Sequence, residues 1–375
     1  MLASDSIAVE PIKASYAGVF GELAAAEAFL LAAWASAIGH KILDLDTPYW
    51  TIGINANRAL RILRYIWLET GLDLPVNLFV EAPTIRQMAV RLYENSAWDA
   101  QALLRLSGSG DRPVLFLFPG GAGFLHELTD IGRAFDVPGV VYGVTASGTD
   151  GRETIHDNLY DEAARAAALI LKKQEYGPYN IAGYSLGGCI ALETARILRT
   201  SGHDVQLMIL DSGLNEHCWP LAIWAQYMAG QFFSRVRGRL KRRNTVNQEI
   251  TEPEIPGDVP ARRGTMFEFR FRNPRHPDYP YFSPHWQTFH PPIYTRMRAR
   301  AIIMKGLYKP EPYQWPLIFF LSRGGDPASC SPRKLWQKYL PNAEWLTVPG
   351  NHTSMIMGRH AKHLACEMTK RLKLP

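Results

Sequence analysis

Tyr179-Asn-Ile-Ala-Gly-Tyr-Ser-Leu-Gly-Gly188 decides how this chain reads. Tyr179–Ala182 is an apolar, strand-like run, and beyond it Ile190, Ala191, Ala195, Ile197 and Leu198 recur at helical spacing. Between the two stands Gly183-Tyr184-Ser185-Leu186-Gly187, of the form Gly-x-Ser-x-Gly. Five residues alone are a weak signal; the strand before and the helix after make it specific. A sharp strand-to-helix turn lifts a serine hydroxyl above a sheet. Small residues on either side let backbones pass closely, and the helix N-terminus favours developing negative charge. The plainer alternative is a passive serine in a Gly-rich turn.

Short apolar runs continue on both sides. Val114–Phe118, Val140–Val144, Gln206–Leu210, Leu317–Leu321 and Trp345–Val348 read as strands. Helices fit at Ile155–Gln174, Leu186–Ser201, Pro332–Tyr339 and Ser354–Leu372. Alternation of this kind predicts an α/β fold with a doubly wound, mostly parallel sheet. It breaks between Gly213 and Pro310, a stretch rich in Trp, Tyr, Pro and Arg that reads as a lid inserted over one end of the sheet.

A serine hydroxyl is a weak nucleophile and needs a base, which in turn needs an orienting carboxylate. In this arrangement the acid and then the histidine follow the serine, each at the carboxyl end of a strand. Asp211 ends the run Gln206–Leu210, and His352 lies in the tight loop Val348-Pro-Gly-Asn-His352. Asp326 is the rival acid. His360 and His363 fall in the last helix, and His285 and His290 lie in the insertion, where they line a channel at most. Two backbone N–H groups must face the developing oxyanion. Leu186 supplies one, and Gly120 or Gly121 of Phe118-Pro-Gly-Gly-Ala-Gly123 supplies the other. This loop lacks the endings and spacings of a phosphate cradle.

Before that region the pattern is helical: Glu22–Ile38, Ala56–Thr70, a turn at Asn77–Phe79, and Thr84–Tyr93. Gly39 and Gly71 stand where helices stop, and Pro83 precedes a start. The turn-rich Leu106–Pro113 reads as part of a linker. A chain of 375 residues, 47% hydrophobic and 20% charged, with 10 Trp, 16 Tyr and 16 Phe, builds sizeable cores, which excludes wholesale disorder. The 4 cysteines follow no disulfide or metal-ligand spacing, so a reducing compartment and no metal are expected. With no signal-peptide pattern and no apolar run long enough to span a bilayer, a soluble cytoplasmic protein is expected.

At this point the chain resembles the thioesterase domains of nonribosomal peptide and polyketide synthases, within the α/β-hydrolase fold. The residues that carry the resemblance are Phe118–Gly123, Gly177–Gly188, Leu207-Met-Ile-Leu-Asp-Ser212 and Gly350-Asn-His352. It implies a Ser185–Asp211–His352 triad and a lid at about 213–310 within a thioesterase domain at 113–375. Residues 21–98 look like the carrier domain of the same assembly lines, through Asp46–Leu60 and Leu74–Thr84, after a leader at 1–20 and before a linker at 99–112. Carriers hold a serine at the start of the second helix, where 4'-phosphopantetheine is attached. Here that position is Ala56, whose methyl cannot form the ester. A Ser→Ala substitution in a working carrier, a natural carrier reduced to a docking element, and a merely helical bundle all remain open. Asn55 and Asn57 also depart from the family's usual residues. Phosphopantetheine is expected as the cofactor of a parent protein with serine at position 56.

The resemblance implies transfer of an acyl or peptidyl chain from a phosphopantetheine thioester onto Ser185. Release follows by hydrolysis, cyclisation or transfer to an amine, with upstream assembly-line enzymes or carriers and a phosphopantetheinyl transferase as partners. A non-catalytic docking protein and a carrier-independent esterase are the rival classes. The net charge of +6 is uneven. The lid stretch holds 16 Lys and Arg against 7 Asp and Glu, six of the former within Arg235–Arg243, whereas residues 21–100 hold 6 against 9. Opposite signs on two modules that must meet favour steering toward a phosphorylated arm over nucleic-acid binding, with a solvated basic face as the plainer account.

Overall fold

The computed structural model describes residues 19–40, 44–94, 101–110, 112–121, 123–149, 154–230, 290–325 and 330–373. Seven strands form one sheet: β1 (Leu103–Gly108), β2 (Pro113–Phe118), β3 (Val140–Val144), β4 (Tyr179–Tyr184), β5 (Val205–Leu210), β6 (Leu317–Ser322) and β7 (Ala343–Val348). Their order is β1-β3-β2-β4-β5-β6-β7, and every pair is parallel except the antiparallel β1–β3. The chain winds one way from β2 to β3 and the other way from β4 onward. The sheet therefore has a switch point beside β2 and β4, at the end where α/β folds place their sites.

β2 to β5 are apolar on both faces because helices cover both faces. On one side α6 (Leu159–Lys173) and α7 (Leu186–Thr200) pack over Phe116, Ile181, Leu207 and Phe319. On the other, α5 (Thr129–Arg133) and α10 (Gly358–Thr369) close over Leu115, Ala182, Met208 and Phe320. Two further helices complete this part: α8 (Pro292–Leu307), which lies in the stretch read as a lid, and the short α9 (Pro332–Trp336).

The structure departs from the sequence reading at the linker. Residues 103–108 are the edge strand β1, pinned to β3 from Leu103↔Val144 to Gly108↔Val140. The Gly and Ser content that suggested a linker marks a register shift between Arg105 and Ser107 and a Gly108 at φ 87°. A Cβ at Gly108 would stand 1.8 Å from the Gly139 carbonyl oxygen. Asp326, His285 and the basic run Arg235–Arg243 lie outside the described residues.

The N-terminal helices are α1 (Leu23–Ile38), α2 (Ala56–Thr70), α3 (Leu78–Glu81) and α4 (Ile85–Tyr93). Asn55 caps α2 by accepting from Arg58 N–H, and Thr84 caps α4 by accepting from Gln87 N–H. α1 and α2 stop at Gly39 and Gly71, both left-handed. Leu30, Trp34, Ile62, Ile66, Phe79 and Met88 fill the space between them. The same apolar cluster takes in Phe124, Ala146, Ile293 and Met297 of the sheet domain. The bundle and the hydrolase-like domain thus share a core.

Candidate active site

The turn after β4 carries the first functional side chain. Ser185 sits at φ 53°, a left-handed conformation that a residue with a Cβ adopts only under restraint. The restraint is steric. A Cβ at Gly183 would lie 2.1 Å from the Gly187 carbonyl oxygen, and one at Gly187 would lie 2.3 Å from that of Pro119. Glycine at both positions lets β4, α7 and the loop after β2 approach closely, and Ser185 N–H donates to Leu210 O at 3.0 Å. The hydroxyl is left at the N-terminus of α7, whose first residue is Leu186.

The carboxyl ends of β5 and β7 bring the partners. His352 Nε2 is 3.2 Å from Ser185 Oγ, and its Nδ1 is 3.0 Å from Asp211 Oδ2. Asp211, 2% exposed, has its remaining acceptor capacity used by Ser322. Ser322 N–H donates to Oδ1 at 3.0 Å, and Ser322 Oγ–H donates to Oδ2 at 2.7 Å. Asp211 itself is held at φ 47°. His352 N–H donates to Gly325 O, its ring lies over Tyr184 at 5.1 Å between centroids, and Tyr184 Oη–H donates to its carbonyl. The His352 imidazole is thus fixed from several directions.

The glycine loop after β2 lies against Gly187, beside Leu186. Glu127 reaches back over it, and the Gly120 N–H donates to Glu127 Oε1. That engagement occupies the Gly120 N–H, while a Cβ at the neighbouring Gly121 would stand 3.1 Å from Arg298 Nη1 of α8. Burial pushes the Glu127 carboxyl up to about 7, against the opposing influence of the Gly120 N–H and of the nearby His352 and Arg298. A small pocket lies alongside, lined by Phe118, Gly121, Leu186, Ile190, Glu162 and Arg300. Glu162 and Arg300 form a buried ion pair at 2.9 Å, and Ser147 donates to Glu162 through both its N–H and its hydroxyl.

Of the other sequence candidates, His360 and His363 lie on α10, and His290 is buried against Tyr294 at 5.1 Å between ring centroids. Ala56 is the first residue of α2, on the same face as Leu60, which packs against Tyr294 of α8. No oxygen stands at position 56, so this chain does not fit a covalently attached phosphopantetheine. Among the described residues no group of three potential metal ligands occurs, and no helix is long and apolar enough to cross a membrane. Glu127, Ser322 and Tyr184 escaped the sequence reading in these positions; only Tyr184, inside the motif, carried any local signal.

Fold and site together define an α/β hydrolase with a serine, a histidine and a carboxylate in line. Residues 113–217 match the family model of the thioesterase domain. Over 184 residues, 48% of this chain, the sequence is 32% identical to a dimodular nonribosomal peptide synthase of Bacillus subtilis (strain 168), covering 8% of that protein. Over 181 residues, again 48% of the chain, it is 26% identical to an indigoidine synthase of Dickeya dadantii (strain 3937), covering 12% of it. The chain therefore spans a small fraction of the length of the curated relatives it matches. In fold it is similar to a four-domain nonribosomal peptide synthetase in its holo form, bound to AMP and glycine. That likeness has TM-score 0.54 and 18% identity and covers 93% of this chain and 26% of the other. The resemblance is thus to a thioesterase of the nonribosomal-peptide-synthetase type.

Proposed function

We propose that the chain is a serine thioesterase that off-loads acyl or peptidyl chains in nonribosomal peptide or polyketide assembly. The observation that carries this reading is the line Asp211–His352–Ser185, at 3.0 and 3.2 Å, on a strained turn beside a glycine loop. Ser185 Oγ attacks the thioester carbonyl carbon while its proton passes to His352 Nε2. Asp211, held by Ser322, keeps Nδ1–H toward itself and balances the imidazolium. The tetrahedral oxyanion is received by the N–H groups of Leu186 and Gly121. As the C–S bond breaks, His352 returns the proton to the departing sulfur, leaving an acyl ester on Ser185 and a free thiol. Water, a hydroxyl or an amine, deprotonated by His352, then releases the chain as an acid, a ring or an amide.

Residues 21–98 are read as a carrier-type bundle and 113–375 as the thioesterase domain, to which β1 adds an edge strand from within the 99–112 stretch. Because position 56 offers no hydroxyl, the acyl thioester reaches Ser185 on a carrier other than residues 21–98, one belonging to the upstream assembly-line modules. Phosphopantetheine and the transferase that attaches it belong to a parent protein with serine at 56. The reading is tested by turnover of an acyl-pantetheine thioester, with Ser185→Ala as control, and by mass spectrometry of the trapped ester. Turnover in the parent chain and an acyl adduct on Ser185 are expected. Absence of both refutes the enzyme and leaves a docking protein.

A further inference from the structure

The segment Phe124–Thr129 has two sides, and each is bonded to a different part of the molecule. Toward the bundle, Leu125 N–H donates to Asn77 Oδ1 at 2.9 Å, and the Tyr49 and Thr129 hydroxyls are 2.6 Å apart, both contacts buried. Between them the His126 ring is surrounded by Tyr49, Phe79 and Phe124, with centroids at 4.7, 5.8 and 5.8 Å. Farther along α5, Arg133 stacks on Trp50 at 4.1 Å. Toward the site, Glu127 accepts the Gly120 N–H, and Gly123 N–H donates to Gly120 O at 3.0 Å.

Glu127 therefore stands between two residues, Leu125 and Thr129, that are each tied to the bundle by a buried hydrogen bond. Its carboxyl holds the Pro119–Gly120 peptide through the Gly120 N–H, and the next peptide, which carries the Gly121 N–H, is held through Gly120 O by Gly123 N–H. A loop of glycines has no side chains with which to hold its own N–H directions, so its orientation must be imposed from outside. Here the outside contact runs through Glu127 to Asn77 and Tyr49.

We propose that the helical bundle acts as a fixed support for the oxyanion loop: Asn77 and Tyr49 position Leu125–Thr129, and through Glu127 they aim the Gly121 N–H at the reacting carbonyl. Asn77, Tyr49 and Glu127 are positioning residues in this proposal, each acting through the hydrogen bond given above. The proposal rests on the reading of Leu186 and Gly121 as oxyanion donors. It gives the bundle a role that needs no arm at position 56. Misaimed donors weaken binding of the transition state more than of the ground state, so the loss falls on kcat and not on KM.

The test uses the full chain and an acyl N-acetylcysteamine thioester, which needs no carrier, together with the rate at which a fluorophosphonate labels Ser185. Asn77→Ala is expected to lower kcat and the labelling rate by about tenfold, with KM within about twofold of the parent chain. Glu127→Ala is expected to do the same, and Glu127→Gln, which keeps an oxygen for Gly120 N–H, to recover most of the loss. The double variant Asn77→Ala/Glu127→Ala should lose no more than Glu127→Ala alone, because both act along one path. Should Asn77→Ala not fold, Tyr49→Phe removes a single hydroxyl and decides the matter, with a fall of about threefold expected. Parent-like kcat and labelling in folded Asn77→Ala or Tyr49→Phe, or losses that multiply in the double variant, overturn the proposal. A parent chain that neither labels nor turns over overturns the thioesterase reading itself, a separate result.

Discussion

His126 and Glu127 are neighbours in sequence with opposite demands on pH. His126 is 6% exposed, and neither ring nitrogen has a hydrogen-bond partner among the described residues. Burial lowers its pKa from 6.5 to about 4. The unfolded chain takes up a proton at this site as pH falls through 6.5, and the folded chain resists until about 4. Stability is therefore whole above 6.5 and is lost as pH falls. Between pH 7.5 and pH 5 the loss comes to about 2 kcal/mol, and the full separation is worth about 3 kcal/mol. Glu127 is raised from 4.5 to about 7, so its contribution runs the other way and is lost as pH rises across that window. In the parent chain the two slopes largely cancel. His126→Phe keeps an aromatic ring in the cage and removes one of them. Urea unfolding of both chains at pH 7.5 and pH 5 reads the difference. The variant is expected to be at least as stable at pH 7.5, because a buried ring with unmet nitrogens costs about 1–3 kcal/mol. Its advantage should widen by about 2 kcal/mol at pH 5. An advantage that stays constant between the two pH values refutes a neutral, buried His126.

Two further outcomes follow from the site. Asp211→Asn preserves the contact distance but disturbs the tautomer and charge balance of His352, so kcat should fall by about 10³–10⁴-fold with near-parental KM, read by steady-state thioester hydrolysis. Gly187→Ala places a Cβ 2.3 Å from the Pro119 carbonyl oxygen, a backbone atom that cannot turn aside. It should destabilise the fold by about 1–3 kcal/mol or more and abolish Ser185 labelling, as measured by thermal unfolding and by mass spectrometry.

The strands and the turn after β4 were legible because their causes are local. An apolar run ends in Gly183, and Gly187 and Gly188 follow a serine at the spacing a tight turn requires. Asp211 and His352 were legible for a related reason, since each closes a short apolar run at the same end of the sheet. β1 was hidden, because at an edge only one side is apolar and its Gly and Ser imitate a linker. Ser322 and Glu127 were hidden for another reason. Ser322 closes a strand more than a hundred residues from its partner Asp211. Glu127 matters only because a 3₁₀ turn at Leu125–Leu128 folds the chain back onto Gly120. The docking of the bundle was equally unreadable: Asp73 meets Ile293 N–H and Arg296 across 220 and 223 residues, a distance no motif spans.

Those long separations govern the order of events during synthesis. The bundle leaves the ribosome before the sheet, complete in its own helices, yet Asp73 waits for Ile293 and Arg296. At about 5–20 residues per second the wait lasts about 10–40 s. Throughout it the carboxylate of Asp73 stands without those partners, on a part of the bundle open to chaperones and to other chains. Translation speed through the segment between α7 and α8 thus sets how long Asp73 waits for its partners.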